Sequence, residues 1–242
     1  MDEENHKEVM GSWLMEFSPP ENFVTITSTG PSAERLGFSL GQYVLYGHHN
    51  GAPVYRQRHT VEMDGGGGYY LYRGNSGRWK VGLHLGGGTF IRSNLPSVSV
   101  PSEGGWKFYR DGQKLEDPGL TVTRGPLSVC DSVNLDLRGP ALQVQFLCAG
   151  VYLPTGDWIA GHPGYKHSHQ ERYLCVGWGS GSGWRVQRSF TGNYILNSWA
   201  TAWCPADPRA SRSLKSEVSS WRYYDHDGWK EVAVIVQCAD HD

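Results

Sequence analysis

Val9, Trp13 and Phe17 recur every four residues in an otherwise polar opening segment, which places them on one face of a helix. Pro19-Pro20 ends that pattern. A short helix or arm is therefore predicted within residues 1–22. From Phe23 onward the pattern alternates with period two, as in strands with one buried face. Strands are predicted over 24–27, 42–46, 54–58, 69–73, 78–83, 89–92, 106–109 and 120–123. Turn signals separate them: His49-Asn50-Gly51, glycines 65–68, Asn75-Ser76-Gly77, glycines 86–88 and Asp111-Gly112. The expected fold is all-β: an antiparallel meander, sandwich-like or barrel-like, with a four-bladed propeller as the alternative.

The same landmarks then recur in the same order. The first copy reads Gly41-x-Tyr43, Pro53-Val-Tyr55, Tyr70-Leu71, Trp79-Lys-Val81, Pro101 and Trp106-Lys-Phe-Tyr109, followed by Asp111-Gly112. The second reads Gly150-x-Tyr152, Pro163-Gly-Tyr165, Tyr173-Leu174, Trp184-Arg-Val186, Pro205 and Trp221-Arg-Tyr-Tyr224, followed by Asp227-Gly228. The expected organisation is two diverged tandem repeats of about 110 residues. They run over 23–124 and 142–242, joined by a bridging segment, 125–141. That bridge contains the alternating stretch 129–137 and is itself a strand candidate.

The landmarks of the first copy, with Asn50-Gly-Ala-Pro-Val-Tyr-Arg56, Tyr70-Leu-Tyr-Arg73 and Trp79-Lys-Val-Gly82, resemble a Trp/Tyr-rich tandem β-repeat module seen in marine invertebrate and protist proteins. The resemblance covers residues 24–123 well and 142–237 loosely. The module has no established activity. The resemblance implies a repeating recognition or interaction unit and transfers no catalytic residue.

Composition sharpens this picture. The 242 residues include 32 Gly, 10 Trp and 13 Tyr, which suits short strands joined by tight turns. The formal net charge is −2, and no run of basic residues is visible along the chain, so nucleic acid is not an expected partner. The apolar stretches are strand-sized, which gives no support for a membrane. The polar start, Met1 to Glu8, lacks a signal-peptide core, so the expected location is cytoplasmic, or secreted if a signal has been removed. The five cysteines all lie beyond residue 129, and the odd count and one-sided placement predict reduced thiols.

Recurrence marks Tyr43, Tyr55, Trp79 and Trp106, and Tyr152, Tyr165, Trp184 and Trp221, as scaffold rings. The aromatics without a counterpart are the ligand candidates: Trp158, Trp178, Trp199, Trp203 and Trp229. Exposed rings stack on sugar faces or cations, and Asp157, Asn193, Asn197 and Asp225 could supply hydrogen bonds. His162, His167 and His169 form a candidate metal set, because His167 and His169 share one side of a strand. Asp225-His-Asp-Gly228 reads as a hairpin turn rather than a calcium loop. Nucleophile-elbow and phosphate-loop patterns are missing from the sequence. Catalytic residues are not identifiable, and no cofactor is expected.

The leading expectation is a soluble, non-enzymatic, lectin-like protein that binds a small molecule or glycan through exposed aromatics. The alternatives are an enzyme with a His/Asp site between the repeats, and an interaction scaffold that forms a homodimer through strand edges.

Overall fold

A computed structural model describes residues 22–59, 68–100, 105–110, 112–127, 129–176, 184–189, 194–198, 216–225 and 227–239. The chain is all-β: among the described residues there are two short α-helices, and the strands form two antiparallel sheets. The helix expected over Val9, Trp13 and Phe17 lies outside the described residues, as do glycines 65–67.

The first sheet contains β1 (Phe23–Ser28), β2 (Gly41–His49), β3 (Ala52–Gln57), β4 (Tyr70–Arg73), β5 (Trp79–Gly82), β6 (Ile91–Ser93), β7 (Trp106–Arg110), β8 (Gln113–Glu116) and β9 (Leu120–Arg124). They follow one another as a meander from β8 to β1, and β9 then adds beside β1. The second sheet contains β10 (Ser132–Leu137), β11 (Gly150–Ile159), β12 (His162–His167), β13 (Tyr173–Val176), β14 (Trp184–Gln187), β15 (Tyr194–Ser198), β16 (Ser216–Asp225) and β17 (Gly228–Ala239). This sheet closes into a barrel, because the long β17 pairs with both β16 and β10. In the first sheet the same path is divided. β8 pairs with β7, β9 pairs with β1, and Asp117-Pro118-Gly119 bends the chain between them. The propeller alternative is set aside, since each sheet continues far beyond a four-stranded blade.

The correspondence between the two sheets extends beyond the landmarks read in the sequence. β10 is the counterpart of β1, so the segment read as a bridge supplies the first strand of the second sheet. Each first strand leads to a one-turn helix, α1 (Pro31–Leu36) or α2 (Pro140–Gln145), and then to a 3-10 turn. Alternation of period two gave no signal for these helices or for the polar β8, Gln-Lys-Leu-Glu.

The recurring rings are interior, as expected. Tyr43, Trp79, Tyr152, Tyr165, Trp184 and Trp221 are at most 1% exposed, and Tyr55 and Trp106 are also buried. Each set packs within its own sheet. Pairing aligns Tyr55, Leu71, Val81, Ile91, Phe108 and Leu115 as one inward row across β3 to β8. Burying each large side chain contributes roughly 1.5–3 kcal/mol. Asp117 ties α1 to the bend. Its carboxylate accepts hydrogen bonds from Ser28 Oγ (2.7 Å), from Ser32 N–H (2.9 Å) and Oγ, and from Gly119 N–H (2.9 Å).

Cys130 and Cys238 form a disulfide, which corrects the expectation that all cysteines are reduced. The strand pairing β10–β17 brings together two residues that lie 108 apart in sequence, a proximity only the closed sheet creates. Cys148 and Cys175 are free and buried.

The two units meet through a hairpin. The β11–β12 turn, Ala160-Gly161, has left-handed φ angles of 49° and 76°. Its main chain lies between the start of β2 and the residue after β3. Gln42 N–H donates to Gly161 O (2.7 Å), Gly161 N–H to Arg58 O (2.9 Å) and Arg58 N–H to Gln42 O (2.8 Å). Gln57 Nε2 lies 3.0 Å from Ala160 O and 2.8 Å from both Leu40 O and Phe38 O, sharing its hydrogens among them. Ala160 N–H donates to His59 Nδ1 at 3.2 Å. Position 41 has no room for a side chain: a Cβ there would lie 2.4 Å from Gly161 O.

Candidate ligand-recognition surface

The alternation that sends Trp79, Val81, Ile91, Trp106 and Phe108 inward sends their neighbours outward. Strand pairing then aligns those neighbours. Lys80 is opposite Arg92, Arg92 opposite Lys107, and Lys107 opposite Glu116. Tyr109 is opposite Lys114 on the same face. The sequence shows no basic run because these cations are 12 to 15 positions apart; the register of the sheet assembles the stripe.

Its electrostatics are those of a cationic patch. The Arg92 guanidinium sits 5.1 Å from the centroid of the Tyr109 ring. Lys107 Nζ bridges to Glu116 at 2.6 Å, and this hydrogen bond raises its pKa. Lys114 is held below the usual lysine value, chiefly by the charge of Lys107, with desolvation and Arg92 and Arg78 adding to the effect. Further along the same outer face, Arg56 lies 5.7 Å from the Tyr46 ring centroid and 6.0 Å from that of Tyr70. Tyr46 is 61% exposed.

The second sheet repeats the position with different residues. Arg185 is opposite Asn197, Asn197 opposite Arg222, and Arg222 opposite Glu231. Arg222 Nη2 is 3.6 Å from Glu231 Oε1, the counterpart of the Lys107–Glu116 bridge. Where the first sheet pairs Tyr109 with Lys114, the second pairs Tyr224 with Trp229, exposed rings whose centroids are 5.5 Å apart. Gln145 Nε2 donates to Tyr224 O at 2.7 Å and anchors the hairpin to α2. The turn that follows is the expected one, with Asp227 N–H donating to Asp225 Oδ1 at 2.8 Å.

The residues singled out in the sequence fare differently. Trp229 is on this exposed face. Asp225 is beside it, but its carboxylate is engaged by Lys230, whose hydrogen bond is the main cause of its lowered pKa. Asn197 occupies the register position of Arg92. Trp158 is 5% exposed and lies under Arg58, whose guanidinium is 4.0 Å from its ring centroid. It belongs to the junction between the units, so an outward role for it is corrected. Asp157 is half-buried, next to Thr155 Oγ1, which accepts its N–H at 3.1 Å. Trp178, Trp199, Trp203 and Asn193 lie outside the described residues.

The three histidines occupy different surroundings. His162 is 2% exposed at the junction, facing Trp184, and burial lowers its pKa to about 4. His167 is buried with Nε2 2.9 Å from Ala149 O, and its Nδ1 accepts the N–H of His169 at 3.0 Å. Nε2 therefore carries the ring hydrogen and donates it. The His169 side chain is exposed. Among the described residues no three His, Cys, Asp or Glu gather in a metal-binding arrangement. Burial raises the thiol pKa of Cys148 to about 11 and of Cys175 to about 12, so both are protonated, poor nucleophiles at neutral pH.

Sequence reasoning missed Lys80, Arg92, Lys107 and Lys114. The usable signal for three of them was their phase: Lys80, Arg92 and Lys107 each follow an inward aromatic or aliphatic residue, in Trp79-Lys80, Ile91-Arg92 and Trp106-Lys107. Comparisons of the chain with protein-family models, with curated proteins and with solved structures each found no match.

Proposed function

We propose that the chain is a recognition protein for acidic or sulfated glycans, with two related patches centred on Tyr109 and Tyr224. The observation that carries this reading is the cross-strand row Lys80, Arg92 and Lys107 beside the Arg92-capped Tyr109 ring. Aligned cations attract sulfate or carboxylate groups. A neighbouring ring offers its face to the apolar side of a pyranose. The second patch keeps Arg185 and Arg222 and replaces Lys114 with Trp229, which shifts it from charge toward stacking. The Cys130–Cys238 disulfide favours an oxidising compartment, where such glycans are displayed, over the cytoplasmic expectation. Among the described residues no helix is long and apolar enough to cross a membrane.

The test is calorimetric titration with heparin, dextran sulfate and neutral dextran over a series of salt concentrations. The expected result is binding to the two sulfated polymers, weakening as salt rises, and no binding to neutral dextran. Equal binding to all three, or to none, would sink the reading. Preference for a DNA duplex over heparin at the same salt would assign the stripe to nucleic acid instead.

A further inference from the structure

The hairpin contact that joins the two units has a counterpart on each side, and both counterparts face outward. We propose that the chain associates head to tail with a second copy of itself, the β2–β3 hairpin of one molecule docking against the start of β11 and the end of β12 of the next.

The two units build the same hairpin in corresponding places. The docked hairpin is β11–β12, turning at Ala160-Gly161. Its counterpart in the first unit is β2–β3, turning at Asn50-Gly51 with φ angles of 52° and 70°. Both hairpins carry a register irregularity in the strand before the turn, at Leu45/Gly47 and at Pro154/Trp158. Ala160, Gly161, His162 and Pro163 are all buried in the junction; of their counterparts the turn residues Asn50 and Gly51 are exposed, Pro53 is half-buried and Ala52 is buried.

The receiving side recurs as well. Gly41 and Gly150 both have left-handed φ, 93° and 128°. Arg58 N–H donates to Gln42 O at 2.8 Å, and Ser168 N–H donates to Val151 O at 2.9 Å. Gln57 Nε2 donates to Leu40 O at 2.8 Å, and His167 Nε2 to Ala149 O at 2.9 Å. In the first unit Gln42 N–H and Arg58 O are both taken by Gly161. In the second unit no bond from Val151 N–H to Ser168 O accompanies the one from Ser168 N–H to Val151 O, and both residues are exposed. In an antiparallel strand the N–H and C=O of one residue point the same way, so Val151 N–H is directed, like its carbonyl, toward the exposed chain beyond the end of β12.

Such a contact joins two different surfaces, so it propagates along a chain of molecules or closes a ring, rather than ending at a two-fold dimer. It is weaker than the internal junction. Ser168 replaces Arg58 and His48 replaces Trp158, so the stacked cation is lost, and the internal contact also benefits from tethering.

Sedimentation velocity over a concentration series tests the proposal with two variants. Gly51→Asn keeps the left-handed turn, which Asn tolerates, but adds a side chain to the tip. The matching Cβ on Gly161 would lie 2.8 Å from Leu40 O. Val151→Pro deletes this N–H near the start of β11. The wild-type chain is expected to grow in mass with concentration. Each variant alone should need roughly tenfold more protein for the same mass. The equimolar mixture should give a dimer and nothing larger, since each variant keeps one intact side. A wild-type chain that stays monomeric throughout overturns the proposal. So does association equal to wild type in both variants. If Val151→Pro fails to fold, Gly51→Asn alone decides, since wild-type association in that variant is equally fatal.

Discussion

Gln57 and His167 perform the same task in the two units. Each donates a side-chain hydrogen to the carbonyl just before the glycine that opens the second strand, Leu40 O at 2.8 Å and Ala149 O at 2.9 Å. Their chemistry differs in one respect that matters. A carboxamide has two hydrogens to give, and Gln57 also reaches Ala160 O of the docked hairpin. The His167 ring has one, because its Nδ1 accepts from His169 N–H. Gln57→His should keep the bond to Leu40 and lose the one to Ala160. The expected cost is about 1 kcal/mol, read as a lower denaturant midpoint with Trp158 fluorescence reporting on the junction.

Arg58 covers Trp158 at the same contact, with the guanidinium 4.0 Å from the ring centroid. Burial lowers its pKa to about 10, so it remains charged at neutral pH. Arg58→Ala removes a partly desolvated cation–ring contact and should destabilise the junction by about 1–2 kcal/mol. Arg58→Lys should recover only part of this, because an ammonium lacks the flat stacking surface. Urea unfolding of the two variants side by side gives the comparison.

His162 predicts how the junction responds to acid. Its folded pKa of about 4 lies below the roughly 6.5 of an unfolded histidine. The unfolded chain therefore binds the extra proton first. The histidine's contribution is complete above about pH 6.5 and is lost as pH falls to about 4, a change on the order of 3 kcal/mol. Midpoints measured from pH 7 to pH 4 should fall in the wild-type chain and fall less in His162→Phe. Parallel curves would contradict the assignment.

Different devices hold the closed second sheet and the bend of the open first sheet, and separate changes can release them. Reducing Cys130–Cys238, or replacing both cysteines with Ala, frees the β10–β17 seam and should cost the barrel about 2–4 kcal/mol. Asp117→Asn instead weakens the bend of the first sheet. Burial raises the carboxyl pKa of Asp117, but hydrogen bonds from Ser32, Ser28 and Gly119 outweigh it and hold the group below its usual value. Asp117→Asn should cost about 1–3 kcal/mol without altering the response to reductant. Hydrogen exchange resolved by segment separates the two effects.

On the recognition face, Trp229→Ala should leave stability nearly unchanged, since the ring is 40% exposed, while weakening glycan binding at the Tyr224 patch. Lys107→Ala should weaken the Tyr109 patch and flatten its salt dependence. A heparin titration of each variant at two salt concentrations shows whether the patches act separately.

Local pattern alone was enough for the all-β class and the interior rings. Period-two alternation is a property of adjacent residues, and a ring that recurs in both copies answers to a demand both copies share. Trp79 and Trp184 were legible for that reason. Other features depend on residues far apart in the chain, and only the folded sheets bring those residues together. Lys80, Arg92 and Lys107 become neighbours through register. Cys130 meets Cys238 because the last strand returns to the first of its barrel. Trp158 stood out in the sequence because it lacks a counterpart. The tertiary structure placed it beneath Arg58, a contact made 100 positions away along the chain.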